Sequence, residues 1–119
     1  MDVWDGQMGL FEDNPGRDVP SNRKVVVFDL ETRRSFDEVG GRSRMDRLGV
    51  SVGVAYRYDT DEFLAVTEET IQELIDLLLE AELVVGYNIR GFDYEVLRGY
   101  TDHDLQRLPT FDLMYDLEE

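Results

Sequence analysis

The sequence predicts an α/β domain whose mixed sheet starts as a three-strand antiparallel meander and continues as parallel strands joined by helices. Three observations predict it. Apolar, β-branched runs at 24–30, 48–58 and 63–66 follow one another with only loops or a short turn between them, as a meander requires. A helical stripe comes next, with Ile71, Leu74, Ile75 and Leu78 at i, i+3, i+4 and i+7. Short apolar runs at 83–86 and 110–113 then alternate with helical stretches, the pattern left by right-handed crossovers.

Residues 1–22, "MDVWDGQMGLFEDNPGRDVPSN", carry Pro15, Pro20, three glycines and several acids without a sustained period. They predict a flexible acidic tail, and residues 23–119 the folded domain. Lys24 to Leu30 is the first strand. Glu31 to Asp46 is polar, holds Gly40-Gly41, and reads as a loop. Leu48 to Tyr58 is the second strand, with Val50, Val52 and Val54 on one face and Ser51, Gly53 and Ala55 on the other. "YDTDE" is a turn and Phe63 to Val66 a third strand. Thr67 or Thr70 caps the following helix, and Thr70 with Glu73 has capping-box spacing. Leu83 to Gly86 is a strand, "YNIRG" a loop, and Phe92 to Arg98 a helix. Pro109 precedes a last strand, Thr110 to Leu113, and "MYDLEE" begins another helix.

A chain of 119 residues is large enough for one core. It has no cysteine, so disulfides, thiolate nucleophiles and cysteine zinc sites are excluded. No apolar run reaches membrane-spanning length and the first residues are acidic, so a cytoplasmic protein without a membrane segment is expected. The formal net charge is −15, which argues against a broad electrostatic footprint on nucleic acid. The charge is uneven, however: Arg33, Arg34, Arg42, Arg44 and Arg47 cluster after the first strand.

The first strand ends "KVVVFDLETRR". Alternation puts Asp29 and Glu31 on one face. Two converging carboxylates repel unless a cation lies between them, and oxygen ligands suit magnesium or manganese. The competing reading leaves both acids in water beside Arg33 or Arg34. In "LVVGYNIRGFDYEVL", Asp93 falls in the first turn of a helix, which by itself suits any helix-start acid. The preceding strand is expected beside the first, and ligands of open sheets bind at the carboxyl ends of such strands. Asp29, Glu31 and Asp93 would then meet.

"FDLET" resembles the first exonuclease motif, and "YNIRGFD" the second, of the DEDD superfamily of 3′–5′ exonucleases. That superfamily has a ribonuclease H-like fold and includes the proofreading domains of DNA polymerases. Within it, the chain resembles more closely the ribonuclease H-like nuclease domains often found beside helicases in prokaryotes, from about Lys24 to Tyr115. The resemblance implies a magnesium- or manganese-dependent nuclease that hydrolyses phosphodiesters of DNA or RNA, with two ions about 4 Å apart on the scissile phosphate. It implies Asp29 as the bridging ligand, Glu31 on one ion and Asp93 on the other. It also implies a single-stranded nucleic-acid end as substrate, with Thr32, Arg33, Arg34, Asn88 and Phe92 as contact candidates. Asn88 reads better as a loop tie, and Phe92 as core packing. The family's fourth carboxylate lies on a late helix. The chain reaches Glu119 as such a helix begins, so a truncated nuclease is expected. "YTDHD", Tyr100 to Asp104, has the spacing of that motif but follows Asp93 too soon.

"QMGLF", Gln7 to Phe11, resembles the peptide by which bacterial replication and repair proteins hold the sliding clamp. Gln7 would bond at a pocket edge while Leu10 and Phe11 fill it. The alternative is that Leu10, Phe11 and Trp4 anchor the tail to the domain. Two functions therefore compete: a 3′–5′ exonuclease, or a catalytically impaired nuclease-fold module docking a sliding clamp or a helicase.

Overall fold

Strands β1 (Val25–Thr32), β2 (Val50–Arg57), β3 (Glu62–Val66), β4 (Leu83–Gly86) and β5 (Thr110–Asp112) form one sheet in the order β3-β2-β1-β4-β5. The structure is a computed structural model that describes residues 23–117. β1 pairs antiparallel with β2, and β2 with β3; β1 pairs parallel with β4, and β4 with β5. This is the ribonuclease H-like mixed sheet that the sequence predicts. The tail at 1–22, with Gln7, Leu10 and Phe11, lies outside the described residues. Among the described residues no helix is long and apolar enough to cross a membrane.

Helices pack on one face of the sheet. β1 turns Val26, Phe28 and Leu30 into the core. Helix α2 (Ile71–Glu80) buries all four residues of its predicted stripe against β2 and β3. Gly53 allows this approach: a Cβ there would stand 2.9 Å from Leu30 Cδ2 and 3.3 Å from Leu74 Cδ2. The other face carries a row that crosses all five strands, Phe63–Tyr56–Val27–Val85–Phe111, each paired with the next. These side chains are half-buried or exposed, Phe63 the most at 75 %.

Several elements depart from expectation for local reasons. β1 runs on through Glu31 and Thr32 because these residues pair with Val52 and Val50. The register shifts between them, a β-bulge at which Ser51 Oγ donates to Glu31 O at 3.1 Å. The bulge breaks the predicted valine face: Val50 is fully buried, while Val54 is exposed. The polar stretch after β1 is more ordered than a loop. It contains helix α1 (Phe36–Val39) and a 3₁₀ stretch, Arg42–Arg47. Ser35 and Glu38 form a reciprocal capping box at the start of α1, with bonds of 2.6 and 3.3 Å. Before α2 the reciprocal cap is not Thr70 with Glu73. Thr67 N–H donates to Thr70 Oγ1 at 3.0 Å across a 3₁₀ turn. "YNIRGFD" contains a π-turn, Ile89–Asp93, that runs into helix α3 (Tyr94–Leu97).

Candidate functional site

The site forms where β1 outlasts its parallel neighbour. β4 pairs with β1 only as far as Val27, so the edge of β1 beyond that point is left to the segment following β4. Gly86 ends β4 in very close quarters. A Cβ on it would meet Ile89 Cγ2 at 2.5 Å and Phe28 O at 3.1 Å. The chain then turns through Asn88, which takes a left-handed conformation with φ 56°, one that asparagine tolerates better than most residues. From there the π-turn carries Asp93 back against β1. Wide turns of this kind are rare in helices and frequent at functional sites.

Asp93 is 3 % exposed, and its Oδ2 is buried without a hydrogen-bond partner. Its carboxyl is pushed up to about 7, first by burial and next by the charge of Asp29. Backbone N–H groups of Asp93 and Leu30 pull the other way, and Asp112 adds a smaller repulsion. The structure therefore brings Asp29 and Asp93 into electrostatic contact. Asp29 is exposed on the open face of the sheet, paired across to Val54, and Glu31 lies two residues on along the same face. Among the described residues, no three histidine, aspartate or glutamate side chains stand grouped as a metal site. What the geometry supplies is a pair of carboxylates with a third beside it on the strand.

That pair suits a divalent cation. A buried carboxylate oxygen with no donor is costly, and repulsion from a second carboxylate adds to the cost. An oxygen-seeking ion such as magnesium or manganese would relieve both. Asp29 and Asp93 would be the residues to hold it, while Glu31, two residues on along β1, is not grouped with them.

Asp112 and Asp116, which the sequence places after the last strand as acids that could reach the site without replacing its missing ligand, are both engaged within the fold. Asp112 is fully buried at the end of β5, and the hydrogen bonds of its side chain all come from backbone N–H groups. Oδ1 accepts from Asn88 N–H at 2.7 Å and Met114 N–H at 3.1 Å, and Oδ2 accepts from Arg90 N–H at 2.9 Å. Asp116 in turn accepts from Asp112 N–H at 2.7 Å at the start of helix α4 (Leu113–Asp116). The one sequence signal was an acid inside the apolar run "TFDLM", two residues before a backbone N–H that it caps.

The remaining candidates are engaged within the fold. Asn88 ties the loop: its N–H reaches Asp112 and its carbonyl accepts from Phe92 N–H at 3.0 Å. Phe92 packs against the core and meets Phe36 edge-on at 6.3 Å. Thr32 Oγ1 donates to Arg34 O at 3.3 Å, Arg33 forms an ion pair with Glu68, and Arg34 donates to Arg47 O at 3.2 Å. Arg42 stacks over Phe36 at 4.4 Å and Arg44 pairs with Asp46 at 3.3 Å. Four of the five arginines are thus engaged within the fold. In "YTDHD", Tyr100 OH donates to Glu68 at 2.5 Å and Asp104 caps a 3₁₀ turn through Gln106 N–H at 3.2 Å.

No protein-family model matches the chain, and no curated protein matches it. Among solved structures, it is similar to the family B DNA polymerase of the hyperthermophilic archaeon Pyrobaculum calidifontis, at 22 % identity and a TM-score of 0.48. The match covers 65 % of this chain and 11 % of the polymerase, so the chain spans about a tenth of that protein's length.

Proposed function

We propose that the chain is a nuclease domain that hydrolyses phosphodiester bonds of nucleic acid with a divalent cation, magnesium or manganese, held by Asp29 and Asp93 and completed by Glu31. One observation carries the reading: the buried, unpartnered Oδ2 of Asp93 in range of the charge on Asp29. It lies at the carboxyl end of β1, beside its parallel neighbour β4, where open α/β sheets bind their ligands. The motifs "FDLET" and "YNIRGFD", which resemble those of the DEDD exonucleases, supply the same acids and favour release of nucleotides from a 3′ end.

A bound divalent ion acidifies water and stabilises the leaving oxygen of a phosphodiester. The chain's own residues prepare the place. Asp93 is buried, and the residues next to the two acids, Phe28 and Tyr94, stack with centroids 6.1 Å apart. Asp29 and Glu31 face outward on β1, where an extended strand end can approach over the open sheet face. The edge of β1 and the Asn88 turn fix the two acids relative to each other.

The test is release of nucleotides from a 3′-labelled single-stranded oligonucleotide with magnesium, manganese or chelator. Metal-dependent release that falls more than about 100-fold in Asp29→Ala supports the assignment. Equal activity in the variant overturns it. The second reading, a nuclease-fold binding module without turnover, rests on the absence of a three-carboxylate group among the described residues. Calorimetry with manganese separates the two, since tight two-site binding counts against the module.

A further inference from the structure

We infer that Asp112 is a positioning residue for the candidate site, a buried carboxylate that fixes the turn from which Asp93 is delivered to the edge of β1. The inference rests on the proposed cation site and names the residue on which that site's geometry depends. A charged group with 0 % exposure is costly to bury. Asp112 offsets that cost with three backbone N–H groups drawn from two segments, Asn88 and Arg90 on the turn and Met114 on α4.

Asp93 is held less fully, because its Oδ2 bonds to nothing and only the backbone N–H groups of Asp93 and Leu30 favour its charge. Its place is set by the backbone that carries it, and that backbone is tied down five and three residues upstream, at Asn88 and Arg90. The ties are reinforced from the same side. Arg90 Nη2 donates to Thr110 O at 3.1 Å, and Gln106 Nε2 donates to Arg90 O at 2.7 Å. The turn is thus fastened to Asp112 of β5 at its amides and to Gln106, before β5, at the carbonyl of Arg90. Groups that hydrogen-bond metal ligands and orient them are worth about 10–100-fold in metal affinity, and Asp112 would act one step further out, on the backbone that carries the ligand.

Asparagine at this position is close to isosteric but wrong in chemistry. With its carbonyl oxygen in place of Oδ1, its amide faces the Arg90 N–H, donor against donor. The turn is released on the Arg90 side while the fold keeps its volume. Asp116→Asn is the control, since Asp116 braces the same corner of β5 and α4 through Asp112 N–H without touching the turn.

The experiment titrates the full chain with manganese, reading free ion by electron paramagnetic resonance, alongside amide hydrogen exchange. Asp112→Asn should weaken manganese binding about 10–100-fold, speed exchange at Asn88 and Arg90, and shift the Leu30 amide resonance beside Asp93. Asp116→Asn should leave manganese affinity unchanged. Equal affinity in Asp112→Asn and the unmodified chain overturns the inference, as does equal weakening by both variants. If the unmodified chain binds no manganese, the site reading fails, and the Leu30 shift still decides whether Asp112 places Asp93. An unmoved Leu30 amide overturns that too. The unmodified chain gives a check that needs no variant to fold: manganese should slow exchange at Asn88 and Arg90 together, because coupling between two sites is reciprocal. Where manganese binds, no slowing at either amide overturns the inference.

Discussion

Asp93 lies buried within range of the charge on Asp29, one of its oxygens unpartnered, and its carboxyl is held at about 7 in consequence. Burial and the charge of Asp29 both oppose ionisation of Asp93. Both acids are placed by backbone, one by a strand and the other by a turn, so neither can swing away without cost.

A pH dependence follows. An unfolded aspartate ionises near its usual 3.8, while folded Asp93 keeps its proton to about 7. Between these values the native chain binds more protons than the unfolded one, so stability falls as pH rises through the window. Three units correspond to at most about 4 kcal/mol, fully present below about pH 4 and gone by about pH 7. Asp46, Asp59 and Glu68 are shifted the opposite way by hydrogen-bonded partners and lose stability as pH falls below the carboxylate range. Metal-free stability should therefore peak at mildly acidic pH. Urea unfolding between about pH 5 and pH 8 measures the slope, and Asp93→Asn should flatten it.

Manganese should reverse that slope by binding the form that pH destabilises. At a concentration about 100 times Kd, a ligand specific to the folded state adds about 2.7 kcal/mol. For a domain of this size that is a rise in Tm of about 10 °C or more. Thermal melts at about pH 8 should show it in the unmodified chain and lose it in Asp93→Asn and Asp29→Ala. Calcium-free chelator should return the unmodified chain to its starting Tm.

Gly53→Ala should destabilise the fold by about 1–3 kcal/mol, although alanine is the easier residue to order in a strand. The new methyl would crowd Leu30, Val66 and Leu74 together, at 2.9, 3.1 and 3.3 Å. Denaturant midpoints at constant slope read the loss. An unchanged midpoint would show that α2 can lift off the sheet freely.

Tyr100→Phe should cost about 1–3 kcal/mol, since the hydroxyl is what satisfies a buried amide. It accepts from Val50 N–H at 2.8 Å while donating to Glu68, which also pairs with Arg33. Amide exchange at Val50 should speed up in the variant by more than at its neighbours in β2.

Much of the fold was legible because its signals are local. The stripe Ile71, Leu74, Ile75 and Leu78 is buried as periodicity requires, and Leu83 to Gly86 is a strand to the residue. Spacing also put Asp29 and Glu31 on one face. The departures came from interactions that no window of sequence contains. A bulge opposite Glu31 sends Val50 inward, and Thr70 turns back to Thr67 rather than forward to Glu73. Ser35 with Glu38 was a readable capping box inside a stretch that polarity marked as loop. Asp112 was the least legible, because its role is defined by amides 22 and 24 residues away. The arginines illustrate the same limit: their clustering is visible in the sequence, but Glu68, Phe36 and the carbonyl of Arg47 decide what they bind.

The row from Phe63 to Phe111 gives the molecule a greasy flank on an otherwise strongly anionic body. Mutual repulsion keeps such flanks apart in dilute buffer, and added electrolyte shortens its reach to about 10 Å or less. Salt therefore lets the flanks meet: brine, not fresh water, is the medium in which its particles should stick and scatter light.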